Sequence, residues 1–438
     1  MMRFFGILLF VLLSATSIGQ DRFKLMNQYF DSVVKYDEGM GSIAIFEDGK
    51  EQFRRIYGYA DKAKKKKANK KTKYRIGSIS KTFTAVCIMQ MVDEGRIKLD
   101  QKLAVFYPDL PNADKISIEQ LLRHRSGLHN FLDDDDYTDY LKEEQSRDAH
   151  MKRFIEKGVD FEPGEKYSYS NTNYVLLAFI CEDVDRKSFS EILSKRITKP
   201  LKLKNTQHTG GYNLKNKEAL SYYWSGEWQN GWQTHGSVSI GAGSLISTVS
   251  DLNRFFCALE NEKLVSAPAY EKMKTMVEGY GLGLFSIPWK EDVGYGHTGG
   301  IDGFQSVLAY FPEHKVYIAF CGNGIKLARN EIVLTALGMY FKETTVIPDL
   351  SSKESLLIKD VMQYVGKYKS ADIDLEIEIS GSNGVLSAQA TGQSIFPLTA
   401  EDENTFIFKP AGITTRFDLN TSSFILEQGG GKFVFQKK

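Results

Sequence analysis

The spacing of apolar residues predicts that the folded chain begins with a helix and a pair of strands. Apolar side chains recur at helical spacing over residues 23–36, which predicts a short amphipathic helix. Residues 41–46 and 53–59 flank Asp48-Gly49, a pattern typical of a β-hairpin.

The central part of the chain mixes both periodicities. Residues 83–92 are apolar nearly all round and end at Gly95, as expected for a buried helix. Segregated helices and antiparallel strands are typical of the α+β class, which we predict for this region. Further helices are predicted at 118–124, 172–184 and 249–259, and strands at 303–311 and 315–321.

The pattern changes after Gly366 to alternation of apolar and polar residues. Residues 373–379 alternate strictly, which predicts a strand with one wet face, and Asn383-Gly384 predicts a hairpin turn. The alternation continues to the end of the chain and predicts a small all-β domain, a sandwich or a barrel. The pairs of apolar residues that continue this alternation are 406/408, 417/419, 424/426 and 433/435.

The first residues have the pattern of a signal peptide. Met-Met-Arg precedes an apolar run over residues 4–13, and small and polar residues follow up to Gly19. A membrane helix needs about 20 apolar residues, so this run is too short to span a bilayer. We therefore expect cleavage after residues 1–19, export to the periplasm or the cell exterior, and no stable membrane span afterwards.

Length and charge narrow the possible partners. A chain of 438 residues predicts two domains, and 56 basic against 55 acidic residues give no field that would attract nucleic acid. A basic run at 62–73 could indicate a patch that binds polyanions, and an acidic run at 133–136 could indicate a calcium site. The first lacks interleaved aromatics and the second lacks EF-hand spacing, so both are predicted to be solvated loops.

The four cysteines, residues 87, 181, 257 and 321, each lie in an apolar stretch. Export permits disulfides, but this placement favours buried free thiols over bridges. The spacing of cysteine and histidine does not match a zinc site. We predict no metal and no cofactor.

Ser78 and Lys81 are the first candidate pair for chemistry. Their i, i+3 spacing places both side chains on one face at the start of the predicted buried helix. A lysine that is desolvated there can act as the base that activates the hydroxyl. The same spacing occurs by chance at Ser32 and Lys35, in a helix of surface type.

Two later motifs carry further candidates. Tyr169 can relay a proton and Asn171 can hydrogen-bond Lys81 and a substrate amide, although a core tyrosine and an N-cap asparagine are the alternative reading. In the sequence 295–300, His297 and Thr298 can direct donors to a carboxylate or carbonyl. The alternative for this motif is a simple glycine-rich turn.

Together, Ser78-x-x-Lys81, Tyr169-x-Asn171 and His297-Thr298-Gly299 resemble the motifs of the serine β-lactamase and penicillin-binding protein superfamily. The order and spacing are most similar to the branch of class C β-lactamases, D-alanyl-D-alanine carboxypeptidases and related esterases. The stretches 121–128 and 241–248 are also similar, and the resemblance covers roughly residues 23–342.

The resemblance implies a domain organisation and a reaction. An antiparallel sheet flanked by helices, with an all-helical subdomain, would occupy 22–345, and a lipocalin-like β domain 356–438. The implied reaction is hydrolysis of an amide, ester or β-lactam carbonyl through a serine acyl-enzyme, on a small molecule or a peptidoglycan peptide. We expect a monomer. A penicillin-binding sensor that acylates without turnover, and a carbohydrate or cell-wall binding protein, remain alternatives.

The resemblance also implies residue roles. The nucleophile falls on Ser78, the base on Lys81 and the proton-relay tyrosine on Tyr169, and the backbone N–H groups of Ser78 and Gly300 would form the oxyanion hole. The substrate-binding residues would be Asn171, His297, Thr298, Gly299 and Gly300.

His297 departs from the family pattern, because β-lactamases of this branch usually have lysine there while some carboxypeptidases and esterases have histidine. An ordinary pKa near 6.5 predicts that His297 is partly charged near neutrality and favours anionic substrates as the pH falls.

Overall fold

The computed structural model describes residues 22–211, 217–350, 358, 360–373, 375–382, 385–391, 396–408 and 411–438. The predicted signal peptide at 1–19 and the predicted turn at Asn383-Gly384 lie outside these residues.

Within the described chain, the helices are α1 (residues 22–35), α2 (Ser80–Asp93), α3 (Ile118–Leu122), α4 (Tyr137–Tyr140), α5 (Arg147–Lys157), α6 (Asn171–Asp185), α7 (Phe189–Leu193), α8 (Val249–Glu260), α9 (Ala267–Lys274) and α10 (Arg329–Tyr340). The strands are β1 (Gly39–Glu47), β2 (Lys50–Tyr57), β3 (Tyr59–Asp61), β4 (Lys66–Lys67), β5 (Tyr74–Arg75), β6 (Gln207–His208), β7 (Tyr222–Ser225), β8 (Glu227–Asn230), β9 (Leu245–Ser247), β10 (Phe285–Trp289), β11 (Asp292–Ile301), β12 (Phe304–Phe311), β13 (Val316–Ile325), β14 (Gly366–Ser370), β15 (Glu376–Ser382), β16 (Val385–Ala390), β17 (Phe396–Ala400), β18 (Thr405–Phe408), β19 (Ile413–Asp418), β20 (Ser423–Gln428) and β21 (Gly431–Lys437).

The main sheet is antiparallel and has the strand order β10-β11-β12-β13-β1-β2. The predicted hairpin is confirmed, since β1 and β2 are joined by Asp48 and Gly49 alone. Both residues have positive φ, 49° and 74°, which suits the two-residue turns that match strand twist. The sheet thus places β1 beside β13, its first and last strands in chain order, so that distant parts of the chain are neighbours.

Both faces of the sheet are covered by helices. Ile43 and Ile45 of β1 join a core with α1 and α10, while Ala44 and Phe46 point to the opposite core with α2, α6 and α8. This alternation follows from the two-residue period of a strand. The result explains why β1 is apolar on both faces.

α2 is buried along its length, from Ser80 to Met89 without interruption. It packs against α6, which also contacts α3 and α7. Because this part of α2 has no solvent-exposed face, every side chain of its first turn is buried, including that of Lys81. The predicted α+β class, with a helical layer beside an antiparallel sheet, is confirmed.

The predicted C-terminal all-β region is a closed barrel of strands β14 to β21. Its interior is filled by alternate residues of successive strands, among them Tyr368, Phe406 and Phe424. Two predicted details differ. The strand predicted from 373 begins at Glu376, because the Leu375 N–H bonds the Ile373 carbonyl. Leu419 lies just beyond the end of β19 and is exposed.

The solvated-loop prediction is partly wrong for both charged runs. Lys64–Lys67 are exposed, but Lys73 is buried and its amine donates to the Gln207 side chain. In the acidic run, Asp135 and Asp136 are exposed.

Asp134, in contrast, is buried. Its carboxylate lies within 3.3–3.4 Å of His129, Arg153 and Lys157, which supply the charges that make its burial possible. Charge density along the sequence could not reveal this, because the last two partners come from α5.

The cysteines are free thiols, as predicted, with Cys257 half-buried and the other three buried. Among the described residues, none of the helices combines the length and apolar character needed to cross a bilayer.

Candidate active site

Ser78 lies in a 3-10 turn, Gly77–Ile79, that leads directly into α2. The turn needs a glycine before the serine, because Gly77 has φ +50° and a Cβ there would lie 2.8 Å from the Gly300 nitrogen. Ser78 itself is half-buried, whereas its neighbours on both sides are buried. Ser78 is therefore the most accessible residue of a tightly packed turn.

Lys81 is fully buried and its amine is held by three oxygen atoms. Nζ lies 3.0 Å from Ser78 Oγ, 2.7 Å from Asn171 Oδ1 and 2.8 Å from the Ala242 carbonyl oxygen. Within the described chain no carboxylate forms an ion pair with this amine. The i, i+3 spacing on one helix face thus places the amine beside the hydroxyl.

This geometry suits a neutral amine. Burial lowers the pKa of Lys81 well below the ordinary lysine value of 10.5, since no opposite charge compensates for lost solvent. Asn171 Oδ1 and the Ala242 carbonyl can only accept, so they take the two N–H groups of a neutral amine. The remaining lone pair is then left for the Ser78 hydroxyl.

Asn171 is oriented by Asn130, which the sequence analysis did not identify. The Asn130 Oδ1 accepts from the Asn171 backbone N–H at 2.9 Å and from its Nδ2 at 3.2 Å. These donors fix the Asn171 amide with its oxygen toward Lys81. The N-cap alternative for Asn171 is wrong, because Ser170 is the N-cap of α6 and Asn171 is its first residue.

Tyr169 completes the cluster around Ser78. Its phenol interacts with the Ser78 side chain, and the Lys81 amine lies 4.9 Å from the centre of its ring. Burial raises the pKa of Tyr169 well above its ordinary value of 10.0, although the interaction with Ser78 opposes the shift. A neutral phenol can donate and accept a proton but is a poor base by itself.

The segment from Gly241 to Leu245 forms the wall behind Lys81. Besides the Ala242 carbonyl that accepts from Lys81, the Gly241 carbonyl accepts from the Thr84 hydroxyl at 2.7 Å. The Leu245 N–H donates to the Ser80 hydroxyl at 3.1 Å. The stretch 241–248, which resembles the family, therefore supports Lys81 through backbone hydrogen bonds.

β11 passes beside the Ser78 turn. Its pairing with β10 ends at Gly296, so residues 297–301 are paired with β12 alone among the described strands. Strand alternation leaves Thr298 half-buried and Gly300 exposed, while His297 and Gly299 face inward and are buried. The accessible edge can hold an extended substrate beside Ser78.

The prediction that His297 is partly charged near neutrality is wrong. Burial lowers the pKa of His297 to about 3. Nδ1 lies 2.6 Å from the Thr298 carbonyl, so it carries the hydrogen, and Nε2 accepts from the Tyr280 hydroxyl at 3.1 Å. Both ring nitrogens are thus engaged inside the protein.

Tyr280 had no signal in the sequence, because it comes from the loop after α9, 17 residues before His297. The His124 ring stacks on the Tyr169 ring with centroids 4.1 Å apart. His124 belongs to the stretch 121–128 that resembles the family, but no role was predicted for it.

Gly299 and Gly300 provide a matched test of how closely β11 packs against the turn. A Cβ on Gly299 would lie 2.1 Å from the Ile76 carbonyl oxygen, whereas a Cβ on Gly300 would meet only the Gln305 side chain at 3.5 Å or more. We expect Gly299→Ala to reduce the free energy of unfolding by about 1–3 kcal/mol, as overpacking does. Gly300→Ala should leave it nearly unchanged. Equal denaturation midpoints for the two variants would contradict this packing.

Comparisons with known proteins agree with the motifs. The Beta-lactamase family matches residues 26–336. Penicillin-binding protein 4* of Bacillus subtilis (strain 168) is 24% identical over 459 aligned residues, covering 94% of this chain and 98% of that protein. Teichoic acid D-alanine hydrolase of Staphylococcus aureus is 28% identical over 227 residues, covering 52% of this chain and 55% of that enzyme.

Two solved structures extend the comparison. D-amino acid amidase from Ochrobactrum anthropi SV3 is 25% identical with a TM-score of 0.63, covering 73% of this chain and 99% of that one. An octameric penicillin-binding protein homologue from Pyrococcus abyssi, at 23% identity and a TM-score of 0.63, shares the fold and covers 94% of this chain and 99% of its own. Since the family match extends over far more than half of the chain, this protein belongs to the Beta-lactamase family.

Proposed function

We propose that this protein is a serine hydrolase that forms an acyl-enzyme on Ser78. The observation that carries the proposal is the Lys81 amine, buried without a carboxylate partner in the described chain and 3.0 Å from Ser78 Oγ. An unprotonated amine in this position can take the hydroxyl proton as the oxygen attacks.

The proposed acylation moves one proton and exchanges one bond. Ser78 Oγ forms a bond to the substrate carbonyl carbon while its proton passes to Lys81 Nζ. The tetrahedral intermediate then expels the leaving group, which takes a proton from the Tyr169 phenol as the Lys81 ammonium restores it. Water later attacks the acyl carbon, and the proton that it loses returns through the same groups to Ser78 Oγ.

The developing negative charge on the carbonyl oxygen needs donors. We assign this role to the backbone N–H groups of Ser78 and Gly300, because the Gly77 and Gly300 backbones are in close contact. The start of α2 adds the positive end of a helix dipole near Ser78.

For the substrate, we propose an ester or amide formed by the carboxyl group of a D-amino acid, including the amide bond between the last two D-alanines of a cell-wall peptide. The name of one relative gives D-alanine of teichoic acid as its substrate, and the name of another gives D-amino acid amides. Asn171, Thr298 and Gly300 are the proposed substrate contacts, while His297 and Gly299 support the strand from within. His297 stands where β-lactamases of the resembled branch usually have lysine, and this suits the carboxypeptidase and esterase members more than the β-lactamases. The export predicted from residues 1–19 also suits such substrates.

The test is burst kinetics with D-alanine p-nitrophenyl ester, a D-Ala-D-Ala peptide and nitrocefin. We expect a stoichiometric burst followed by steady turnover of the D-alanyl ester. A burst without turnover on every substrate would favour the penicillin-binding sensor. The absence of both a burst and a covalent adduct by intact mass would contradict the proposal.

A further inference from the structure

His124 has a backbone conformation that is uncommon for residues other than glycine. It follows the end of α3 with φ +56°, the left-handed conformation in which glycine or asparagine is usual. The side chain is nonetheless an imidazole with no exposed surface. Backbone preference alone therefore does not account for a histidine, and its side-chain contacts become relevant.

Three of those contacts fall on successive residues of the Tyr169 segment. The His124 carbonyl accepts from the Ser168 N–H at 2.9 Å, and His124 Nδ1 accepts from the Ser170 N–H at 3.1 Å. Between them, the imidazole stacks on the Tyr169 ring with centroids 4.1 Å apart and planes 28° apart. One residue thus fixes the backbone on both sides of Tyr169 and the plane of its ring.

The tautomer of His124 follows from these bonds. Because Nδ1 accepts a hydrogen bond, Nε2 carries the hydrogen, and within the described chain this buried atom has no hydrogen-bond partner. The Tyr280 ring lies edge-on with its centre 4.8 Å from that of the imidazole. The neutral ring is therefore held by stacking, by the Ser170 N–H and by the Asn173 amide nitrogen, which lies 3.5 Å from Nδ1, and it adds no positive charge beside Lys81.

We propose that His124 is a positioning residue that holds the Tyr169 phenol against Ser78, and that it thereby controls protonation of the leaving group. This inference rests on the proposed function. If Tyr169 delivers that proton, a misplaced phenol penalises substrates whose leaving group must be protonated. Substrates that expel a stable anion are affected much less, so His124 acts on leaving-group preference and not only on stability.

The experiment compares D-alanine p-nitroanilide, whose leaving group needs a proton, with D-alanine p-nitrophenyl ester, whose leaving group does not. His124→Asn keeps a residue that tolerates positive φ but removes the stacked ring. We expect its kcat/KM for the anilide to fall at least about tenfold more than that for the ester. Tyr169→Phe should show the same selective loss, and the double variant should lose no more than Tyr169→Phe alone.

His150→Asn is the matched control, because His150 is also buried but bonds the Ser237 carbonyl, away from Ser78. It should leave the ratio of the two kcat/KM values unchanged. Equal losses on both substrates for His124→Asn, or additive losses in the double variant, would overturn the inference. If His124→Asn does not fold, His124→Gln is judged by the same ratio. Failure of the wild-type protein to acylate would instead overturn the proposed function.

Discussion

Replacing Ser78 with alanine is expected to abolish covalent labelling by a fluorescent penicillin or a fluorophosphonate, together with turnover of the D-alanyl ester. The Ser78 hydroxyl is the accessible group beside the Lys81 amine, and without its oxygen no acyl bond can form. The variant should fold normally, because the change removes one oxygen atom from a half-buried residue. Intact mass checks the loss of labelling, and the denaturation midpoint checks the folding of the variant.

The chain contains its own control for this experiment. Ser32 and Lys35 repeat the i, i+3 spacing in α1, but Lys35 is exposed and contacts the Tyr36 ring instead of a serine. Ser32→Ala should therefore label and turn over as the wild type does. Labelling of the Ser78→Ala protein at the wild-type level would remove the basis of the assignment.

Replacing Lys81 with methionine should reduce the acylation rate by about 10²–10⁴-fold, the usual contribution of a positioned general base. Methionine matches the length of the lysine stem and suits a buried site, so the loss should come from chemistry and not from unfolding. The serine should remain accessible to reagent but react slowly. Stopped-flow acylation by the fluorescent penicillin measures the effect.

The matched variant is Lys35→Met, which removes an exposed amine of the same helix spacing and should leave the acylation rate unchanged. An acylation rate of Lys81→Met within about threefold of the wild type would contradict a role for this amine as base.

The sequence predicted the parts of the site that depend on local spacing. Ser78 and Lys81 share a helix face because three residues separate them, and the apolar run that follows indicates a helix with no wet face. The same reasoning identified the β1–β2 hairpin and the alternating strands of the C-terminal barrel. These features depend on neighbours within a few residues, which a single sequence displays directly.

The parts that failed depend on contacts between distant segments. The charge of His297 is set by burial, and its Nε2 is bonded by Tyr280; neither feature can be read from the glycine-rich motif that contains His297. The orientation of Asn171 is set by Asn130, 41 residues earlier. The role of His124 depends on the folding of the Tyr169 segment back onto the end of α3. In each case the partner is chosen by tertiary packing.

The most direct test of the account is the titration of the Lys81 amine itself. Protein with ¹³C at the lysine ε-carbons would be followed by NMR over a pH series, with the Lys81 resonance assigned by its loss in Lys81→Met. The account predicts a midpoint well below the ordinary lysine value of 10.5, because the amine is buried with no carboxylate beside it in the described chain. A midpoint at or above 10.5 would mean that the amine is charged at neutral pH and has no lone pair for Ser78, which contradicts the account.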